Sequence, residues 1–150
     1  MRVFGENIRN ARSYRALSQN ELSKNSGITR SSLSMIENNE IDIYFNTAKR
    51  LAESLNISLP QLFSRNFSNG NIAAYTEDDF LFIFSQNAKG LLKKQNRLQI
   101  YLYSSTTLSS STISEIFNQK VNPKLSSLNK IADALGATIS ELIIRKEEWK

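Results

Sequence analysis

The run "TRSSLSMIEN", residues 29–38, joins one arginine to a cluster of hydroxyls at the start of an apolar pattern. Leu33 and Ile36, with Met35 beside them, are spaced for one face of a helix, which sends Arg30, Ser31 and Ser34 elsewhere. A surface helix selected for stability alone would carry Ala, Glu, Lys and Leu there. Arg30 and the serines offer instead a forked cation and short hydroxyls that let a partner approach the helix backbone. That is the chemistry of binding. Bond-making chemistry has little to work with, because the chain holds no His and no Cys. Their absence removes most zinc sites, the Ser-His and Cys-His nucleophile systems and the commonest general base. No carboxylate pair sits at a spacing that suggests a site. The chain is therefore expected not to be an enzyme and to hold no metal or cofactor.

The elements that position this segment follow from composition and repetition. Among 150 residues there are 5 Gly and 2 Pro, too few for the turns of an all-β fold, so an all-α protein is expected. The net charge of +5 favours a polyanion as partner. No apolar run approaches the ~20 residues of a membrane span, and "MRVFGENIRNARSYR" is too polar for a signal peptide. A soluble, cytoplasmic protein without membrane partners is the expectation, nucleoid-associated when it is bound to a nucleic acid.

Sliding the sequence against itself by 80 positions brings Gln19 onto Gln99, Leu22 onto Leu102, Ser31 onto Ser111 and Ser34 onto Ser114. Ile36 then meets Ile116, Asn38 meets Asn118, Ala52 meets Ala132, and Leu55 and Leu62 meet Leu135 and Leu142. Phe4/Phe84 and Asn7/Asn87 extend the match upstream. The chain is two copies of one small helical domain. The boundaries expected are 1–63 and 76–150, with the Asn-, Ser- and Gly-rich stretch 64–75 as a linker.

Each copy reads as five helices. In the first, helix 1 covers 3–15 with Phe4, Ile8 and Ala11 inward, and Ser18 with Glu21 forms a capping box on helix 2. Gly27 ends helix 2, Thr29 caps helix 3, helix 4 spans 46–55, and a last helix starts at Ser58. In the second copy Thr76 is expected to cap a longer first helix whose first turn is acidic. Its other helices are expected at 98–104, 109–118, 126–135 and 139–148.

Two short helices joined by a three- to four-residue turn make a helix-turn-helix. In DNA-binding versions the second helix lies in the major groove, with its N-terminal residues against base edges. "LSQNELSKNSGITRSSLSMIENN" with "LAESLNISLPQLF", and "LSSSTISEIFNQKVNPKLSSLNKIADALGATISELI" in the second copy, resemble the Xre/Cro, or lambda-repressor-like, family. The resemblance implies two tandem five-helix domains of that fold and a sequence-specific regulator of double-stranded DNA, a repressor of phage or mobile-element type.

It also implies roles for residues. Gln19 would hold a phosphate and brace the recognition helix, Arg30 and Ser31 would read bases, Ser34 would lie at the groove wall and Asn38 would touch the backbone. Thr29 and Ser32 share that first turn. The matching set in the second copy is Gln99, Ser109, Ser110, Ser111, Ser114 and Asn118. Lys120 and Lys124, in the basic, proline-containing loop "NQKVNPK", are added as phosphate contacts.

The copies depart from the pattern differently. The first has Arg30 but an acidic loop, with Glu40 and Asp42 where phosphates would come; the second has the lysines but only Ser110 at the Arg30 position. A 12-residue flexible linker would reach about 20 Å on average and about 40 Å extended, enough for half-sites one turn (~34 Å) apart. A second reading is a protein-interaction module, antitoxin-like or partner-binding, with DNA contact secondary. The apolar run "FLFIF" (80–84) favours it, because Phe80 and Phe82 are left to line a contact with the first copy or with another chain, a homodimer or a partner protein.

Overall fold

A computed structural model describes residues 2–146, apart from the side chains of residues 2 and 69. Among these residues there are ten α-helices and no strand, in two compact units that divide between Glu77 and Asp78.

The first unit holds α1 (Arg2–Tyr14), α2 (Gln19–Ser26), α3 (Arg30–Glu37), α4 (Phe45–Leu55) and α5 (Leu59–Leu62). Phe4, Ile8 and Ala11 bury one face of α1 against Leu33 and Ile36 of α3 and Ala48, Leu51, Ala52 and Leu55 of α4. Each fully buried Leu or Ile contributes about 1.5–3 kcal/mol. The helix ends are set by local chemistry. The Ser18 hydroxyl accepts from the Glu21 amide at 3.0 Å while the Glu21 carboxylate accepts from the Ser18 amide at 3.1 Å. These bonds hold the Glu21 pKa below the usual carboxylate range. Gly27 takes the left-handed conformation (φ 73°) that ends α2. Gly5 is required by close approach, since a Cβ there would sit 2.3 Å from the Ile36 carbonyl oxygen. Asn7, buried, donates to the carbonyls of Leu62 (3.0 Å) and Ser64 (2.8 Å) and so ties α1 to the end of α5.

The second unit repeats the plan with α6 (Phe80–Lys94), α7 (Ile100–Ser105), α8 (Ser110–Phe117), α9 (Leu125–Ala134) and α10 (Ile139–Leu142). Asn87 makes the same two bonds as Asn7, to Leu142 (2.8 Å) and Ile144 (3.0 Å). Positive-φ residues recur at the repeat distance: Ala16 and Asn96, Asn39 and Gln119, Asn56 and Gly136. Thr107 stands where the first unit has Gly27, and a β-branched residue disfavours the left-handed turn, so α7 ends at Ser105 and the turn before α8 is longer.

Five expectations need correction. Thr76 does not cap α6; Asp79 does, accepting from the Phe82 amide. Glu77 is drawn away by Lys49 (2.8 Å) and Tyr75 (2.7 Å), and Asp78 by Arg145 (2.7 and 3.1 Å). The stretch 64–75 is not a free linker. The Ser58 amide donates to the Ala73 carbonyl, Gln61 bonds both Asn71 and Ala73, and a short 3-10 turn at Asn69–Asn71 meets α1. The twelve-residue reach therefore does not apply. The last helix closes at Leu142 rather than 148; residues 147–150 lie outside the described residues. Helix α7 starts at Ile100, not 98, because Leu98 cannot supply the hydroxyl cap of Ser18. Phe80 is 5% exposed and belongs to the core of the second unit, whereas Phe82 is 36% exposed.

Candidate nucleic-acid interface

Helix α3 is the natural second helix of the motif, and its exposed stripe is built by its own spacing. Arg30, Ser34 and Asn38 follow at intervals of four, with Ser31 one residue on from Arg30. Thr29 caps the helix: its hydroxyl accepts from the Ser32 amide at 3.2 Å and donates to the Ser32 hydroxyl at 2.9 Å. Ser31 Oγ lies 3.4 Å from the same hydroxyl. Thr29 and Ser32 are thus partly engaged in holding the first turn. Arg30 and Ser31 are exposed, Ser34 is half-buried and Asn38 is exposed at the C-cap, accepting a hydrogen bond from Arg9. No described residue bonds the Arg30 side chain.

Behind this stripe the helix is held by charge. Glu37 is buried, with its side chain 1% exposed, and accepts from Arg12 Nε at 2.8 Å and Nη2 at 3.0 Å. Arg9 stands 3.7 Å away, and Gln19 Nε2, at the start of α2, donates to Glu37 Oε1 at 3.3 Å. The hydrogen bond to Glu37 raises the Arg12 pKa against the opposing effect of burial. Gln19 therefore does brace the recognition helix. Sequence reasoning missed Arg9, Arg12 and Glu37. The available signal was Glu37 itself, one residue after Ile36 and four after Leu33, which puts a carboxylate on the buried face.

In α8 the hydroxyl cluster recurs. Ser109 caps the helix by accepting from the Thr112 amide at 3.1 Å, and its oxygen lies 3.1 Å from Ser111 Oγ and 2.9 Å from Thr112 Oγ1. Thr112, the partner of Ser32 under the repeat, belongs with that set. Ser110 and Ser111 are exposed, Ser114 is half-buried, and Asn118 donates to Ser114 Oγ at 3.4 Å. The bracing differs from that in the first unit. Leu92 and Phe117, both buried, replace Arg12 and Glu37, and Lys89 lies over the Phe117 ring at 5.8 Å. Ser85, at the position of Gly5, donates to the Phe117 carbonyl at 3.1 Å. Gln99, at the N-cap of α7, consequently has no carboxylate to reach and donates to Tyr103 of α7, at 3.1 Å. A bracing role shared with Gln19 is not present.

The loop after the recognition helix also differs in charge. Glu40, Asp42 and Tyr44 are exposed in the first unit, and Lys120, Asn122 and Lys124 occupy the same places, exposed, in the second. Lys120 closes the end of α8 through its amide, which donates to the Glu115 carbonyl at 2.9 Å, and Lys124 sits at the N-cap of α9.

A compact five-helix unit with a hydroxyl-capped recognition helix after a short turn, present twice, defines a tandem helix-turn-helix protein. Comparison with known proteins agrees. Residues 5–66 match the family described as a helix-turn-helix domain, and residues 91–148 match the Cro/C1-type helix-turn-helix DNA-binding domain. The chain is similar to control protein C.SmaI of Serratia marcescens, at 35% identity over 63 residues, covering 42% of this chain and 75% of that protein. No solved structure matches the chain. The chain belongs to the Xre/Cro helix-turn-helix family and is a DNA-binding transcriptional regulator. Among the described residues no helix is long and apolar enough to cross a membrane.

Proposed function

We propose that the chain binds double-stranded DNA sequence-specifically through residues 29–38 and 109–118 in the major groove, and acts as a repressor of phage or mobile-element type. The observation that carries this reading is the exposed stripe Arg30, Ser31, Ser34 and Asn38, held from behind by Glu37, Arg12 and Gln19. An exposed arginine that no described residue bonds, on a helix fixed by an ion pair to a buried carboxylate, is placed to fork to guanine. The second helix offers only hydroxyls, and Lys120 and Lys124 beside it are placed for phosphates. Two readers on one chain raise each other's effective concentration. Such a protein works in the cytoplasm, on the nucleoid; no reaction, metal or cofactor is assigned to it. The relative's name, a control protein, agrees with a regulatory role.

Selection of bound duplexes from a random pool, run on the full chain, tests the reading. The expected result is one enriched motif, with protection of its major groove. Recovery of unrelated sequences would contradict it. A protein-interaction role alongside DNA binding is favoured by Phe82 and Ile144, both exposed on the second unit, as a contact for a second chain or partner protein.

A further inference from the structure

The two units are the same fold built twice, so each serves as a control for the other. Leu98 and Ile100 are 77% and 65% exposed and flank Gln99 at the start of α7. The first unit has Ser18 and Asn20 there, so the fold does not require apolar side chains at these positions. Replacing Ser18 by Leu98 even forfeits the hydroxyl cap. The surroundings are basic: Lys93, Lys94 and Arg97 precede the pair, Arg97 lies over the Tyr101 ring at 3.9 Å, and residues 80–114 contain no Asp or Glu. On the first unit, the loop after α3 shows the opposite character. Glu40 and Asp42 are exposed together with Ile41 and Tyr44. One surface is apolar with a basic rim, the other apolar with acidic neighbours, and a single chain carries both.

We propose that, without DNA, the α7 edge of one molecule docks on the 40–44 loop of a second molecule of the same chain. Leu98 and Ile100 meet Ile41 and Tyr44, and Arg97 with the lysines meets Glu40 and Asp42. Pairing of the α7 edge with its own copy would set basic rim against basic rim, so the contact is head-to-tail. Its area is small, which places it among weak, concentration-dependent associations. The proposed DNA-binding reading puts both surfaces beside phosphates, at Gln99 and at the loop after Asn38. The acidic loop then occupies the basic edge as a phosphate would, and duplex DNA displaces it. This last step rests on the DNA-binding reading; the self-contact does not.

Sedimentation velocity of the full chain over a concentration series tests the contact. The wild-type chain should show a sedimentation coefficient that rises with concentration. Leu98→Ser with Ile100→Asn, and separately Glu40→Lys with Asp42→Asn, exchange each surface for residues that the other unit already carries. Each pair should weaken association at least about tenfold. Mixing the two variants should restore it, because the first retains the loop and the second retains the α7 edge. A wild-type chain that stays monomeric, variants that associate like the wild type, or a mixture that stays apart would each overturn the proposal. In a second arm, an arbitrary duplex at low salt should dissolve the assembly. DNA binding without dissociation would overturn the competition and leave the self-contact standing; failure to bind any duplex would instead strike the DNA-binding reading.

Discussion

The guanidinium of Arg12 closes on the carboxylate of Glu37 at 2.8 and 3.0 Å, at the place where the second unit has Leu92 and Phe117. One scaffold thus fixes its recognition helix by an ion pair to a buried carboxylate in one copy and by apolar side chains in the other. Removing one partner of a buried pair leaves an uncompensated charge and costs about 3–5 kcal/mol, whereas an apolar replacement of both is often neutral or better. Arg12→Leu, which strands the buried Glu37 carboxylate, should destabilise the first unit by up to about that amount. Glu37→Phe, which leaves a partly exposed Arg12 still bonded to the Leu17 carbonyl, should cost less, and the two together should recover most of the loss. Denaturant unfolding of the four proteins in the cycle checks this; a double variant as unstable as the sum of the singles would refute it.

Gln19 and Gln99 share a repeat position but not a partner, since Gln19 bonds Glu37 and Gln99 bonds Tyr103. Gln19→Ala should weaken binding to every duplex by about 0.5–1.5 kcal/mol, through a less firmly held helix. Gln99→Ala should have the smaller effect. Equal losses on titration with the same duplex would mean that both glutamines act on phosphates alone.

Much of this was legible in the sequence, and for identifiable reasons. The apolar spacing of Phe4, Ile8, Leu33 and Leu51, the capping box at Ser18 and the turn at Gly27 are local codes, and all appear as expected. The repeat was legible because matched residues such as Asn7 and Asn87 keep one task, here holding the end of the fifth helix. What escaped depends on partners far along the chain. Arg12 and Glu37 are 25 residues apart, and nothing local pairs them. The stretch 64–75 has no period, yet its backbone finds donors and acceptors on α5 and the preceding turn. Asp79 displaced Thr76 as a cap because Glu77 and Asp78 are held by Lys49 and Arg145.

Acid should act on the Asp78–Arg145 pair. Hydrogen bonds from Arg145 lower the Asp78 pKa below its ordinary value. A depressed carboxylate contributes stability above its unfolded pKa, about 3.9, and that contribution disappears as pH falls through the lower folded value. With no His or Cys in the chain, side-chain titration should leave stability nearly flat from about pH 5 to 8. Thermal melts against pH should show the fall only below about pH 4, with a shallower fall in Asp78→Asn. A steep change near neutrality would contradict this.

Lys120 and Lys124 carry the phosphate side of the account. Removing one lysine–phosphate interaction flattens the plot of log K against log salt by about 0.9, so Lys120→Ala with Lys124→Ala should flatten the full-chain slope by up to about two units. Glu40→Lys, which gives the first unit the residue of the second, should steepen it. An unchanged slope in the lysine double variant would mean that other side chains hold the phosphates.

The most direct measurement compares wild-type chain and Arg30→Ala on the selected duplex and on a scrambled one. If Arg30 reads a base, the variant loses about 1–3 kcal/mol on the selected duplex and little on the scrambled one, and tolerates more sequences at that position. An equal loss on both duplexes would contradict the account, because Arg30 would then be a phosphate contact and α3 would not be the reader.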